Sequence, residues 1–145
     1  MDKVKQTEEI LKTLFEAQQF AVLATHDEGQ PYVSLMAFVA TENLKHLIFA
    51  TERDTRKYAN LVSNPRTAAL IDNRSNLISD TKQAIAVTAL GETRELDKEQ
   101  HLSTFLKKHP HLEAFVKSPS CALVEMQVIT YFVVKGLQDV RELEP

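Results

Sequence analysis

Short apolar segments of strand length, several of them ended by turn-forming residues, are the feature that most constrains the fold of this chain. These segments cover residues 20–25, 31–39, 46–51, 67–72, 83–92, 122–128 and 130–134. The turn-rich stretch around Gly29 predicts a hairpin between the first two segments, and residues 41–43 predict the next turn. Many strands without a regular alternation of strand and helix argue against a doubly wound parallel sheet. We therefore predict a mostly antiparallel barrel, because closure removes exposed sheet edges.

Segments with helical spacing flank the predicted strands. Residues 7–17 place apolar side chains three and four positions apart, as in an amphipathic helix. A short helix follows Asp54 and stops at Asn64-Pro65. Another begins at Asp97, which resembles a capping box with the glutamine three residues later, and a helical turn follows over residues 112–116. The fold class is therefore mainly β with flanking helices (α+β).

Length, composition and charge describe an ordinary globular domain. The chain has 145 residues, of which 43% are hydrophobic and 26% charged, and we predict one domain over residues 1–145. A net charge of -3 provides no general attraction to nucleic acid or to an acidic membrane surface. The start of the chain lacks the pattern of a signal peptide, and no apolar run approaches the roughly 20 residues of a membrane span. We expect a cytoplasmic protein with neither a nucleic-acid nor a membrane partner.

Several familiar chemical sites are not predicted. Cys121 lies in an apolar strand-like run, where a small buried hydrophobic role is expected. His109 and His111 flank Pro110 in what we interpret as an exposed loop, and no nearby ligand set completes a metal site. With 3 glycines and no Gly-x-Gly-x-x-Gly pattern, a Rossmann-type dinucleotide site is excluded.

Thr55-Arg56-Lys57 opens the short helix after Asp54 and is a candidate anion site. The two cations face the positive end of the helix dipole, which costs a few tenths of a kcal/mol. A bound phosphate would offset that cost, since backbone N–H groups, a hydroxyl and two cations converge there. Alternatively, Asp54 caps the helix and both cations point into water. The local pattern leaves both interpretations open.

The polar stretch that follows the fourth predicted strand is a second candidate. Asn73 and Arg74 supply hydrogen-bond donors that could reach a phosphate or the edge of a ring. Asn, Ser and Asp are also ordinary turn-forming residues, so this stretch has a purely structural explanation as well.

Four short motifs occur in the order and spacing of a known family. They are Gly29-Gln30-Pro31-Tyr32, Phe49-Ala50-Thr51, Thr55-Arg56-Lys57 and Asn64-Pro65-Arg66. From about residue 20 to residue 90 the sequence resembles the pyridoxamine 5'-phosphate oxidase-like, flavin-binding split β-barrels. The resemblance implies a six-stranded split barrel that forms a homodimer, with flavin mononucleotide (FMN) at the subunit interface.

The same resemblance implies roles for individual residues. Thr55, Arg56 and Lys57 would hold the phosphate, and the ring would lie along two strands. The residues that would contact the rest of the cofactor are Ser34, Leu35, Met36, Ala37, Ala50, Thr51, Asn73, Arg74 and Gln83. Leu35 and Met36 could also belong to the barrel core, which their alternation equally explains.

The sequence departs from the vitamin-B6 oxidases themselves. Ser34 and Val39 stand where those enzymes carry an arginine and a lysine, and the chain has no tryptophan. The resemblance therefore implies an FMN-dependent oxidoreductase that acts on an unidentified small molecule, rather than the vitamin-B6 oxidase itself. A non-enzymatic flavin or electron carrier, and a split barrel that binds haem or another ligand, are the alternatives. No catalytic residue is predicted.

Overall fold

The computed structural model describes residues 2–137 and 139–145. In order along the chain, its helices and strands are α1 Lys3–Ala17, β1 Phe20–Asp27, β2 Gln30–Ala40, β3 His46–Glu52, α2 Arg56–Ser63, β4 Arg66–Asp72, α3 Asp80–Gln83, β5 Ile85–Glu95, α4 Lys98–Lys108, α5 Glu113–Lys117, β6 Cys121–Lys135 and β7 Asp139–Leu143. A 3-10 turn, Pro110–Leu112, joins α4 to α5.

An antiparallel sheet closes on itself to form the barrel. The strand order is β3-β2-β1-β4-β5-β6, and β3 also pairs with β6, so the first and last of these strands meet. Strand β7 adds to the far half of β6, beyond the part that pairs with β3. The predicted mainly β, mostly antiparallel six-stranded split barrel is therefore confirmed.

One sequence prediction about the strands is wrong, and one strand was not predicted. Residues 122–128 and 130–134 form one continuous strand, because Ile129 is accommodated as a bulge between the pairs Gly91–Val128 and Leu90–Thr130. A side chain at Gly91 would lie 2.2 Å from the Gln127 carbonyl oxygen, so the close approach at this bulge requires glycine. Strand β7, which was not predicted, is mostly exposed and short, and lacks a strong apolar alternation.

Capping side chains set the starts of α1 and α4. The Asp2 carboxylate accepts a 2.8 Å hydrogen bond from the Lys5 backbone, so α1 starts four residues before its predicted boundary at residue 7. Asp97 caps α4 as predicted. The β1–β2 hairpin is also confirmed, and its turn has positive φ at Glu28 and Gly29, of 50° and 80°.

Two apolar clusters form the core. The first fills the barrel and includes Phe38, Phe49 and Tyr131 together with Leu11 and Phe15 of α1. The second lies between α4, α5 and the outward side chains of β2, β3 and β6. Helices α4 and α5 thus cover one part of the outer surface of the barrel, and the outer surface of β1, β4 and β5 lies apart from this helical layer.

Residues near the helical layer include one confirmed prediction and one error. Cys121 is buried in the second cluster, as predicted. His109 was predicted in an exposed loop, but it is 0% exposed, stacks 5.0 Å from the Phe105 ring and bonds through Nε2 to the Phe38 carbonyl at 2.8 Å. Pro110 therefore follows the end of α4 while His109 itself stays buried.

Candidate functional site

The start of α2 is held by Thr55. Its hydroxyl accepts a 3.3 Å hydrogen bond from the Tyr58 backbone N–H and donates a 2.7 Å bond to the Glu52 carbonyl. Thr55, and not Asp54, is therefore the N-cap, which removes the interpretation in which Asp54 caps the helix. The Thr55 hydroxyl hydrogen is already used within the chain, so the remaining donors for a phosphate are the backbone N–H groups and the neighbouring cations.

Arg56 and Lys57 lie in the first turn of α2 without a counter-charge. Arg56 is exposed and Lys57 is half-buried. Within residues 2–137 and 139–145, neither side chain makes an ion pair or a hydrogen bond. Both positive charges therefore oppose the helix dipole without an ion-pair partner among the described residues, a favourable arrangement for an anion.

A polar brace fixes this helix start against the end of β5. Tyr58 donates a 2.5 Å hydrogen bond to Glu95 Oε1, and Arg53 Nη2 lies 2.7 Å from Glu95 Oε2. Arg53 also donates a 2.8 Å bond to the Pro119 carbonyl. The hydrogen bond from Tyr58, followed by that from Arg53, lowers the pKa of Glu95, so the carboxylate stays charged at neutral pH. The turn before Arg56 is thereby attached to two other parts of the chain.

Sequence analysis did not identify this brace. Tyr58 and Glu95 are separated by 37 residues, and each has an ordinary surface character in the sequence. Only the pairing of β5 with its neighbours brings Glu95 beside α2. No local pattern in the sequence could have indicated it.

The predicted ring-contacting residues of β2 differ in exposure. Leu35 is 69% exposed, whereas Met36 is 3% exposed and belongs to the barrel core. Ser34 is half-buried, and Ala37 packs against the second cluster. Leu35 and Ala37 therefore both face outward from the barrel, Leu35 exposed and Ala37 under the helical layer, and Met36 has the core role that was its alternative.

Leu35 belongs to a wider apolar surface, here called the outer apolar face. It pairs across the sheet with Val22, which pairs in turn with Leu70. Val33 is 63% exposed and Leu90 is 40% exposed on the same side of the sheet. The outer apolar face consists of Val22, Val33, Leu35, Leu70 and Leu90. Neighbouring exposed apolar side chains of this kind are typical of an interaction site.

Ala50 and Thr51, at the end of β3, are buried. Ala50 is 7% exposed within the second cluster, and Thr51 is 1% exposed and donates a 3.2 Å hydrogen bond to the Glu52 carbonyl. Their predicted contact with a cofactor stays a prediction, and in this conformation it would have to involve their backbone.

Asn73, Arg74 and Gln83 lie at the other end of the barrel from Arg56. Asn73 Oδ1 accepts a 2.7 Å bond from the backbone of Ile85, the first residue of β5, whereas the brace involves Glu95, the last one. Strand β5 has 11 residues, so at about 3.3 Å per residue the two ends lie roughly 30 Å apart. A single copy of the chain therefore does not bring all the predicted cofactor residues together.

The local contacts of this second group are largely internal. Arg74 Nε lies 2.7 Å from Asp72 Oδ2, which neutralises its guanidinium. Gln83 was predicted on the fifth strand, but it is the exposed last residue of α3, because the turn of Asp80–Gln83 precedes β5. The polar stretch after β4 therefore has the structural role of a turn, and its role in binding stays a prediction.

Two further properties of the described residues concern metals and membranes. No group of three or more His, Cys, Asp or Glu side chains among them could hold a metal ion. Across residues 2–137 and 139–145, none of the helices has both the length and the apolar character that crossing a membrane requires. The cytoplasmic location expected from the sequence stays a prediction.

Comparison with known proteins places the fold. The sequence profile described as pyridoxamine 5'-phosphate oxidase matches residues 7–134. No curated protein matches the chain by sequence. The structure is similar to that of General Stress Protein 26 from Bacillus anthracis str. Sterne, with a TM-score of 0.74 and 19% identity over 97% of this chain and 99% of that one.

Two other similar structures carry ligand names. A heme binding protein from Mycobacterium smegmatis has a TM-score of 0.81 and 17% identity, and the match covers 94% of this chain but 57% of that protein. A FAD-binding protein from Mesorhizobium loti has a TM-score of 0.64 and 19% identity, over 85% of this chain and 88% of that one. At these identities the similarity concerns the fold.

Proposed function

The chain belongs to the pyridoxamine 5'-phosphate oxidase family, and on that premise we propose that it is an FMN-binding flavoprotein that works as a homodimeric oxidoreductase. The observation that carries the proposal is the pair Arg56 and Lys57, two cations without a described partner at the firmly capped start of α2. A phosphate monoester suits this position, because it accepts several charge-assisted hydrogen bonds at once.

The brace supports a phosphate site as well. Arg53, Tyr58 and Glu95 hold the turn before α2, so the first-turn N–H groups and cations are positioned before a ligand arrives. A preorganised site loses less conformational entropy on binding than a mobile one. Arg53 itself is engaged by Glu95 and serves the positioning of the site.

The outer apolar face supports a homodimer. Leu35 is 69% exposed and Val33 is 63% exposed, and the two lie two residues apart on the same face of β2. In a single copy of the chain both side chains face water. A second copy of the chain, related by a two-fold axis, would bury this face against its own equivalent. The second copy could also bring its Asn73, Arg74 and Gln83 towards the flavin of the first copy. Within one copy these residues lie at one end of β5 and Arg56 lies at the other, roughly 30 Å away.

FMN, when bound, supplies the redox chemistry, accepting hydride or electrons from a small donor and passing them to an acceptor. The residues of this chain would hold the phosphate at Arg56 and Lys57 and bury the ring against the outer apolar face. Leu35 would exclude water from one side of the ring. No described side chain is assigned as an acid or base, and the substrate is left open.

Absorbance spectroscopy of the purified protein tests the proposal. We expect flavin bands, or saturable FMN binding by fluorescence quenching when the protein is purified without flavin. A Soret band after titration with haemin, together with failure to bind FMN, would instead support a haem-binding barrel. Protein that binds neither ligand would overturn the proposed cofactor.

Anaerobic reduction separates an enzyme from a carrier. Loaded protein would be mixed with reduced nicotinamides, pyridoxamine 5'-phosphate or other small donors, and bleaching of the flavin band followed. Bleaching by a donor, with turnover when an acceptor is added, is the expected result for an oxidoreductase. Failure with every donor, combined with reversible chemical reduction, would favour the carrier.

A further inference from the structure

A groove between α1, the first residue of β5 and the middle of β7 shares Asn73 with the predicted cofactor contacts, and its other lining residues have no role assigned above. Its volume is about 520 Å³, within the range of small-molecule sites. Ile10 and Leu14 of α1 and Ile85 of β5 supply apolar walls, and Asn73, Arg141 and Glu9 are among its polar lining residues. The groove therefore combines a broad apolar surface with a few polar groups, as ligand sites commonly do.

Arg141 enters this groove without a hydrogen-bonded acceptor. Its side chain is 35% exposed, and its ion-pair partner Asp139 lies 3.9 Å away, beyond hydrogen-bond distance. Across the part of the chain that the structure describes, the guanidinium has no other ion pair and no hydrogen bond. A guanidinium held beside apolar walls has five donors arranged to bind a planar or tetrahedral anion.

Asn73 adds a fixed donor to the same groove. Its Oδ1 accepts the 2.7 Å bond from the Ile85 backbone, which holds the amide in place. Its Nδ2 donates no hydrogen bond within residues 2–137 and 139–145. Two side chains from β7 and from the loop after β4 thus present free donors to one cavity.

Glu9 is the acidic residue of this lining. The effect of its negative charge on anion binding can be tested. This residue is exposed on α1, and the described residues contain no ion pair between Glu9 and Arg141. Since Glu9 does not neutralise the guanidinium by contact, it repels an anion only from a distance. Removing its charge should therefore strengthen binding of an anion, whereas removing that of Arg141 should weaken it.

We propose that this groove binds a small organic anion, with its apolar body against Ile10, Leu14 and Ile85 and its carboxylate or phosphate monoester on Arg141. The site lies at the Ile85 end of β5, whereas the flavin phosphate proposed above lies at the Glu95 end. It is a second site because its anion contact, Arg141, is not among the predicted flavin contacts, and its occupancy does not require bound flavin.

Titration of the full-length protein by NMR tests the proposal with three probes. Benzoate and phenyl phosphate carry the expected anion on a flat apolar ring, and benzamide is the neutral counterpart. We expect saturable shift changes for residues of α1 and β7 with one or both anions, and at least tenfold weaker binding of benzamide. Binding of benzoate alone would identify a carboxylate site, and binding of phenyl phosphate alone a phosphate site.

Three single variants examine the charges. Arg141→Gln should weaken binding of the anions about tenfold or more, because it removes a charge-assisted pair of hydrogen bonds. Glu9→Gln should strengthen binding by a few-fold. Arg66→Gln, which removes an exposed arginine at the other end of β4, is the matched control and should leave it unchanged. If Arg141→Gln disturbs the far-UV circular dichroism, Arg141→Lys keeps the charge and should show a smaller but measurable weakening.

Several outcomes would overturn the proposal. Equal binding of benzamide, unchanged affinity in both Arg141 variants, or shift changes away from α1 and β7 would each do so. Competition between FMN and the probes would show that the groove is part of the flavin site, which contradicts a second site. Absence of FMN binding with intact probe binding would contradict the proposed cofactor and leave the groove supported.

Discussion

The Tyr58 hydroxyl donates a 2.5 Å hydrogen bond to Glu95, which joins the first turn of α2 to the last residue of β5. The same carboxylate binds Arg53, so one acidic group organises both sides of the turn that precedes Arg56. The position of the proposed phosphate site thus depends on a contact between distant parts of the sequence.

Replacing Glu95 with glutamine should loosen the start of α2. The side chains of the pair are about two-fifths exposed, so we expect a loss of about 1 kcal/mol or less in the free energy of unfolding. The amide protons of Tyr58 and Ala59, which bond to Thr55, should exchange faster with solvent. Urea denaturation and hydrogen exchange measure the two effects. Glu92→Gln, on the same strand, is the control, and an equal change there would contradict the brace.

Replacing both Arg56 and Lys57 with alanine should weaken FMN binding by about 3 kcal/mol, or roughly a hundredfold in Kd, because two charge-assisted interactions are lost. Riboflavin, which lacks the phosphate, should bind wild type and variant alike. Fluorescence titration measures both ligands. Lys3→Ala with Lys5→Ala removes two cations from the start of α1 and should have no effect. Unchanged FMN affinity in the α2 variant would place the phosphate elsewhere.

Introducing a charge into the outer apolar face should prevent dimer formation. In Leu35→Glu, a two-fold interface would bring two like charges together in a desolvated place, which costs several kcal/mol. Sedimentation velocity should show a dimer for wild type and a monomer for the variant. Val4→Glu, at a 54% exposed position on α1, should stay dimeric. A wild-type monomer, or a dimeric Leu35→Glu, would argue against this face as the interface.

His109 should make the fold less stable in mild acid. Its Nε2 donates to the Phe38 carbonyl, and its Nδ1 is buried without a partner among the described residues. Burial, with the nearby charges of Lys108 and His111, lowers the pKa of His109. Below the usual histidine pKa of about 6.5 the unfolded chain binds a proton that the folded chain does not, so stability falls with falling pH.

His109→Gln keeps a donor and does not titrate, which isolates this effect. Between pH 7 and pH 5 wild type should lose up to about 1 kcal/mol per pH unit more than the variant. Urea denaturation at several pH values measures the difference. His101→Gln, at a more accessible histidine within α4, is the control. Parallel pH profiles for wild type and His109→Gln would show that the buried ring is not responsible.

The barrel and the family could be predicted because both depend on local signals. Short apolar runs, turn residues such as Gly29 and four ordered motifs lie within the part of the chain that forms β1 to β5. Strand β7 could not be predicted, because its own sequence is polar and lacks an apolar alternation. It forms through pairing with residues 131–135 of β6.

The candidate site was only partly predictable. Leu35 and Met36 are consecutive apolar residues, and sequence alone could not say which of them faces the core. The groove at Arg141 and the contact between Tyr58 and Glu95 both join residues that are distant along the chain. His109 was misjudged because the proline after it suggested a surface loop, whereas its ring replaces an apolar side chain beside Phe105.

Closure of the barrel through β3 and β6 has a consequence during protein synthesis. His46 pairs with Gln127 and Glu52 with Cys121, so β3 gains its second neighbour only after most of the chain has left the ribosome. Until then the β3-β2-β1-β4-β5 sheet has two open edges, which are prone to pairing with other chains. Such distant pairings also slow folding, and the nascent protein is therefore most vulnerable to aggregation just before its last long strand emerges.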